Sequence, residues 1–133
     1  MVKTVTFSTD KKIELIDVTG KVSKVLSDSK IDNGLCHLFT PHATAALLIN
    51  ENEEGLKQDF VSSLEKFFPK SANWRHNFEQ NAPAHQGSSF LGQSLTIPIE
   101  AGDLILGTWQ RIFFVELDGP RAQRKVVVNL LSA

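Results

Sequence analysis

At 133 residues the chain fits one compact domain with a single core and leaves little room for a second. Fourteen basic and 15 acidic side chains nearly cancel to a formal net charge of -1, which excludes the overall positive field that holds nucleic acid or an anionic membrane surface. No apolar run approaches the roughly 20 residues of a bilayer span and Met1-Val2-Lys3-Thr4 opens no signal-peptide pattern, so a cytoplasmic protein is expected, with small ligands or protein partners.

Val2 to Ser8 and Ile13 to Val18 carry branched or aromatic residues on either side of Thr9-Asp10, as an opening hairpin would. Thr19 then caps a segment in which Val22, Val25 and Leu26 recur at helical spacing, stopped by Asn33-Gly34. Leu35 to Thr40 and Ala45 to Asn50 read as strands, with Pro41 forbidding a ladder donor between them, so His42 falls at a strand end or in a loop. From Glu53, Leu56, Phe60, Leu64 and Phe67 or Phe68 follow helical spacing until Pro69. Lys70 to Gly92 shows neither period clearly and reads as a long polar loop, a kind of segment that is functional or disordered; its aromatic residues and histidines favour function. Ser94 to Ile99, Leu104 to Leu117 and Lys125 to Leu131 give three further strands. The expected fold is α+β, a single domain over residues 1–133 of mainly antiparallel sheet with two helices.

Three of the four histidines, His42, His76 and His85, stand beside small or polar residues instead of inside an apolar run. Imidazole ligates metals and titrates near neutral pH, so these are the first candidates for chemistry. A lone Cys36 excludes an internal disulfide and any all-cysteine zinc site, which leaves His, Asp or Glu as ligands. The three histidines supply enough ligands for a catalytic zinc only if the long loop folds back on the sheet; otherwise they are surface or hydrogen-bonded loop residues. His37, inside a strand, reads as structural, and so does Cys36.

Asn50, Glu51 and Asp59 are candidates for a base or a partner to an imidazole, although Asn50-Glu51-Asn52 equally suits a helix N-cap. Gly87-Ser88-Ser89 offers hydroxyls and backbone N–H groups to an anion, without the glycine spacing or lysine of a P-loop, or else is a plain polar turn. Gly107-Thr108-Trp109-Gln110 reads as mid-strand, with Thr108 and Gln110 on one face toward a ligand or a polar cluster. Arg121 and Arg124, after Asp118-Gly119-Pro120, can fork onto a phosphate or carboxylate or stand exposed beside the turn.

The runs Leu38-Phe39-Thr40-Pro41-His42-Ala43-Thr44-Ala45-Ala46, Asn50-Glu51-Asn52, Ala84-His85, Ser88-Ser89-Phe90-Leu91-Gly92, Ser94-Leu95-Thr96-Ile97-Pro98-Ile99 and Leu106-Gly107-Thr108-Trp109-Gln110 closely resemble the YjbQ family, also described as secondary thiamine-phosphate synthases. The likeness runs over nearly the whole chain in the same order. It implies a YjbQ-like α+β homotrimer with a histidine-lined cavity near subunit contacts. Its matching positions fall on His42, His76 and His85, on Asn50, Glu51 and Asp59, and on Thr108 and Gln110.

The activity implied is weak thiamine-phosphate synthesis, joining a pyrimidine diphosphate to a thiazole phosphate with release of pyrophosphate. A divalent metal, zinc or magnesium, on the histidines is the expected cofactor. Asn50, Glu51, Asp59 and Gln110 are the expected catalytic residues, and Thr44, Ser88, Ser89, Thr108 and Arg121 the expected contacts to a small phosphorylated substrate. Trp74 stands where many relatives carry tyrosine, and Gln86-Gly87 where relatives often carry a longer aliphatic or basic pair. The alternative is a metal- or metabolite-binding trimer without turnover. The chain has no Asp-rich motif of the kind that holds magnesium on a diphosphate.

Overall fold

The computed structural model describes all residues from Met1 to Ala133. In chain order the elements are β1 (Val2–Phe7), β2 (Glu14–Asp17), α1 (Thr19–Ser29), β3 (Gly34–Phe39), β4 (Ala45–Asn50), α2 (Glu54–Phe67), a 3-10 turn (Phe78–Gln80), α3 (Ala82–Leu91), β5 (Ser94–Glu100), β6 (Asp103–Leu104), β7 (Arg111–Glu116) and β8 (Arg124–Ser132). They build two sheets, ordered β1-β8-β3-β5-β6 and β2-β7-β4. Every pairing is antiparallel.

Alternation along the strands decides what each face of the large sheet buries. Cys36 and Leu38 of β3, Ile97 and Ile99 of β5, and Val126, Val128 and Leu130 of β8 point to one side. There they meet Leu47, Ile112 and Phe114 from the small sheet, with Val22 and Leu26 of α1 closing the same cluster. Phe7 packs edge-on against Phe114 with ring centroids 4.9 Å apart. A second cluster, on Ala46 and Val115 of the small sheet, receives Leu64 of α2 and Ala84 of α3. The small sheet is therefore covered on both faces. On the far side of the large sheet Leu35, Phe39 and Leu131 remain exposed. No helix is long and apolar enough to cross a membrane.

Several sequence expectations are corrected here. The two opening strands form no hairpin: β1 pairs with β8 and β2 with β7, in different sheets. The expected strand from Leu104 to Leu117 is two strands, and the chain passes from the large sheet to the small one between them. Gly107 to Gln110 is the turn at that crossing, closed by Gln110 N donating to Gly107 O at 3.0 Å. A third helix, α3, lies inside the expected polar loop. It escapes a search for apolar periodicity because the residues it buries are small, Ala84, Gly87 and Ser88 among them. A Cβ on Gly87 would stand 3.2 Å from Leu117 Cδ1, so a larger residue here requires the Leu117 side chain to give by a few tenths of an ångström.

The caps differ as well. Val18, not Thr19, is the residue before α1; the Asp17 carboxylate accepts from Thr19 N at 2.9 Å, while Thr19 Oγ1 accepts from Ile112 N at 2.7 Å. The α2 cap is Glu53, whose carboxylate accepts from Gly55 N, so the run Asn50-Glu51-Asn52 does not serve as that cap.

Truncating Phe114 to alanine removes the ring at the centre of the larger cluster. We expect a loss of about 3–5 kcal/mol of unfolding free energy, read from denaturant titration of the purified protein. Asp17 binds Arg111, Thr19 N and Asn52. Burial would raise its pKa, but the Arg111 and Thr19 bonds outweigh this and hold it at about 2. Its contribution to stability is present above the ordinary carboxylate value and lost as pH falls through about 2. The stability difference between wild type and Asp17→Asn is thus expected to be constant above about pH 4 and to shrink between about pH 4 and 2.

Candidate functional site

Folding the chain between α2 and α3 brings two of the three candidate histidines together. His76 lies just before the 3-10 turn and His85 in the first turns of α3; their rings meet edge to face with centroids 4.8 Å apart. His76 is exposed and His85 half-buried. Asn81 joins them from the start of α3: its side-chain oxygen lies 3.2 Å from His76 Nε2, and its backbone oxygen accepts from His85 N at 3.2 Å. Asn81 Nδ2 in turn donates to Asp118 Oδ2 at 2.9 Å. Asp118, at the end of the small sheet, also receives Lys12 on Oδ1 and Arg121 on Oδ2. Burial would raise its pKa, yet Lys12, Asn81 and Arg121 together hold the carboxyl below the usual range.

A buried ion pair underlies this cluster. Arg124 donates to Glu116 through both Nε and NH2 and to Thr44 Oγ1 at 3.0 Å, while Thr9 Oγ1 donates to Glu116 Oε1 at 2.7 Å. Desolvation acts to raise the Glu116 pKa, but Arg124 and then Thr9 override it and keep the group ionised. Of the alternatives the sequence left open for Arg124, the structure shows the fork onto a carboxylate, that of Glu116; the guanidinium is buried and serves the fold, and the exposed placement is corrected.

His42 stands apart from the other two, at the strand break its sequence implies. Its Nε2 accepts from Lys125 N at 2.9 Å. Burial and the nearby Arg124, with Lys125 and Arg121, push this imidazole below its ordinary pKa, and Glu116 opposes them only in part. The ring is therefore neutral near pH 7, with its proton on Nδ1 and its Nε2 lone pair already engaged. No group of three or more His, Cys, Asp or Glu side chains within one chain stands close enough to hold a metal ion. His76 and His85 supply two imidazoles, half of a zinc-type ligand set.

The remaining candidates disperse. Ser88 is buried in α3 and donates to Ala45 O at 2.7 Å, and Ser89 donates to His85 O at 2.9 Å, so Gly87-Ser88-Ser89 is a helical segment and forms neither a turn nor an anion cradle. Thr44 accepts from Arg124, and Arg121 is paired with Asp118. Asn50 Oδ1 accepts from Glu51 N at 2.8 Å at the exposed end of β4, and Asp59 is exposed on α2. Thr108 and Gln110 lie in the exposed crossing turn, where Gln110 Oε1 accepts from Gly107 N at 2.8 Å.

Beside the histidine pair opens a cleft of about 540 Å³ between α2 and α3, floored by Ile13, Leu64, Phe68 and Leu117 and edged by Lys12 and Asn81. A smaller hollow of about 370 Å³ holds Trp74 and His76 and shares the Gln80 and Pro83 wall with the first. Sequence reading missed Lys12, Asn81, Glu116 and Asp118. The only trace of them was the Asp118-Gly119-Pro120 turn, read as punctuation.

The comparisons with known proteins agree with this architecture. The family described as UPF0047 protein YjbQ-like matches residues 3–133. The chain belongs to that family. A UPF0047 protein of Archaeoglobus fulgidus is 43% identical over 126 residues, covering 94% of this chain and 98% of the relative. One from Methanothermobacter thermautotrophicus is 48% identical over 117 residues, covering 87% of this chain and 82% of the relative. Among solved structures, a YjbQ-like protein of unknown function from Sulfolobus solfataricus superimposes with a TM-score of 0.97 at 41% identity, covering 100% of this chain and 97% of its own.

Replacing Arg124 by methionine strands Glu116 in the interior. Unfolding free energy is expected to drop by about 3–5 kcal/mol, whereas the Arg124→Met, Glu116→Gln double variant should recover part of the loss. Equilibrium denaturation of the two variants side by side checks both.

Proposed function

We propose that this YjbQ-like protein is a small-molecule enzyme whose site is the His76–His85 pair with its adjoining cleft, acting on a phosphorylated substrate with a divalent metal as cofactor. The observation that carries the reading is the 4.8 Å contact of two imidazoles that Asn81 joins to a neighbouring cleft with an apolar floor and a polar edge. Imidazole ligands favour zinc over magnesium, which prefers oxygen donors. When bound, the metal would supply positive charge toward a phosphoryl oxygen.

The chain's own groups have definable roles in this scheme. His76 and His85 hold the metal, the cleft floor seats the ring of the substrate, and Lys12 and Arg121 place positive charge at one side. Both cations share Asp118, so the phosphoryl group would meet a partly neutralised pair. A homotrimer fits the uncovered side of the large sheet, where Leu35, Phe39 and Leu131 are exposed, and a neighbouring copy would supply the third ligand that one chain lacks. Thiamine-phosphate synthesis, with pyrophosphate leaving the pyrimidine diphosphate, is the secondary activity we assign to this site.

One observation favours a second reading, binding without turnover. Asp118 and Glu116 are tied up in ion pairs and depressed in pKa, which leaves them poor general bases. Zinc titration and turnover assays separate the readings. We expect the wild type to bind zinc, His85→Ala to bind at least tenfold more weakly, and the pyrimidine diphosphate plus thiazole phosphate rate to fall with it. Zinc affinity indifferent to both His76→Ala and His85→Ala would sink the metal site, and tight zinc binding with no rate above background would select the binding-only reading.

A further inference from the structure

Asn81 and Asp118 form a chain of hydrogen bonds whose chemistry permits one arrangement. Resting on the metal-site reading above, we infer that they are positioning residues that fix the His76 ring as its Nε2–H tautomer and leave Nδ1 as the nitrogen that offers a lone pair to the metal. An ionised carboxylate only accepts hydrogen bonds, and Asp118 is held ionised by Lys12 on Oδ1 and Arg121 on Oδ2. Whatever faces Asp118 Oδ2 at 2.9 Å must therefore donate, and of the two ends of the Asn81 amide only Nδ2 can. Turning the amide over would set its oxygen against the carboxylate.

With Nδ2 committed, Asn81 Oδ1 is the atom 3.2 Å from His76 Nε2. An amide oxygen only accepts, so Nε2 carries the hydrogen, and in the neutral ring Nδ1 is bare. This is the arrangement in which a ligating imidazole donates its other N–H to a hydrogen-bonded acceptor, which fixes ring orientation and raises ligand basicity. His76 itself is exposed, and its edge-to-face contact with His85 does not choose which ring nitrogen carries the hydrogen. Asn81 is buried and does. The opposite assignment at His42, whose Nε2 is taken by Lys125 N–H, sharpens the contrast: in a single chain His76 keeps its Nδ1 lone pair available, whereas neither nitrogen of neutral His42 is free.

The test reads the tautomer directly, without metal. Long-range proton–nitrogen NMR of the metal-free full chain, at a pH where the imidazoles are neutral, is expected to show His76 as a single Nε2–H tautomer. Asn81→Ala should move the His76 ring nitrogens toward values averaged over both tautomers, and Asp118→Asn, which lets the Asn81 amide turn over, should move them in the same direction. Zinc titrated into the same samples should bind Asn81→Ala about 10–100-fold more weakly than wild type. An Nδ1–H signature for His76 in the wild type overturns the inference with no variant needed, and so do ring shifts that ignore both substitutions. If the tautomer behaves as described but zinc binds nowhere, the positioning role stands and the metal reading above falls.

Discussion

The buried Arg124–Glu116 pair holds the architecture in register. Arg124 belongs to β8 of the large sheet and Glu116 to β7 of the small one, so their contact crosses the interface between the two. Two buried charges are tolerable only when the remaining lone pairs and protons are also satisfied, and Thr9 and Thr44 do this. Removing either charge leaves the other without solvent. The pair is less a source of net stability than a constraint on how the sheets can dock, since only one alignment satisfies both ends.

That constraint propagates to the histidines. Because Glu116 ends β7, Asp118 follows two residues later at the same edge, and its backbone N–H donates to the Glu116 carboxylate. Asp118 then anchors Lys12 and Arg121 from either side and reaches across to Asn81 at the start of α3. The position of α3 is in turn set by small residues that allow close approach to the small sheet, with Ser88 bonded to Ala45 O. His85 rides on that helix and His76 on the segment before it. The contact between their rings is the far end of a chain of interactions that begins in the core.

The strands and helices that were legible in the sequence are those with large apolar side chains at regular spacing. The strand Ala45 to Asn50 stands where its apolar run beyond Pro41 put it, and the helix after Glu53 ends at Phe67, just before Pro69. His42 does sit at a strand break. Helix α3 was illegible because Ala84, Gly87 and Ser88 bury little apolar surface and look like loop residues when only hydrophobicity is counted. The crossing turn at Gly107 to Gln110 was illegible for the opposite reason: apolar residues flank it on both sides, and nothing local says that they belong to different sheets.

From the sequence alone came the class of fold, the family, the near-neutral surface and the identity of the three histidines, because these depend on composition, local periodicity and ordered motifs. Only the tertiary structure decided that His76 and His85 meet while His42 is held elsewhere by Lys125. It also decided that the serines and Arg124 serve the fold, and that Asn81 and Asp118, 37 residues apart, support the histidine pair. The physical reason is that hydrogen-bond direction and ion pairing act between atoms a few ångströms apart. Which atoms come that close is set by the docking of sheets and helices, and residue order along the chain does not record it.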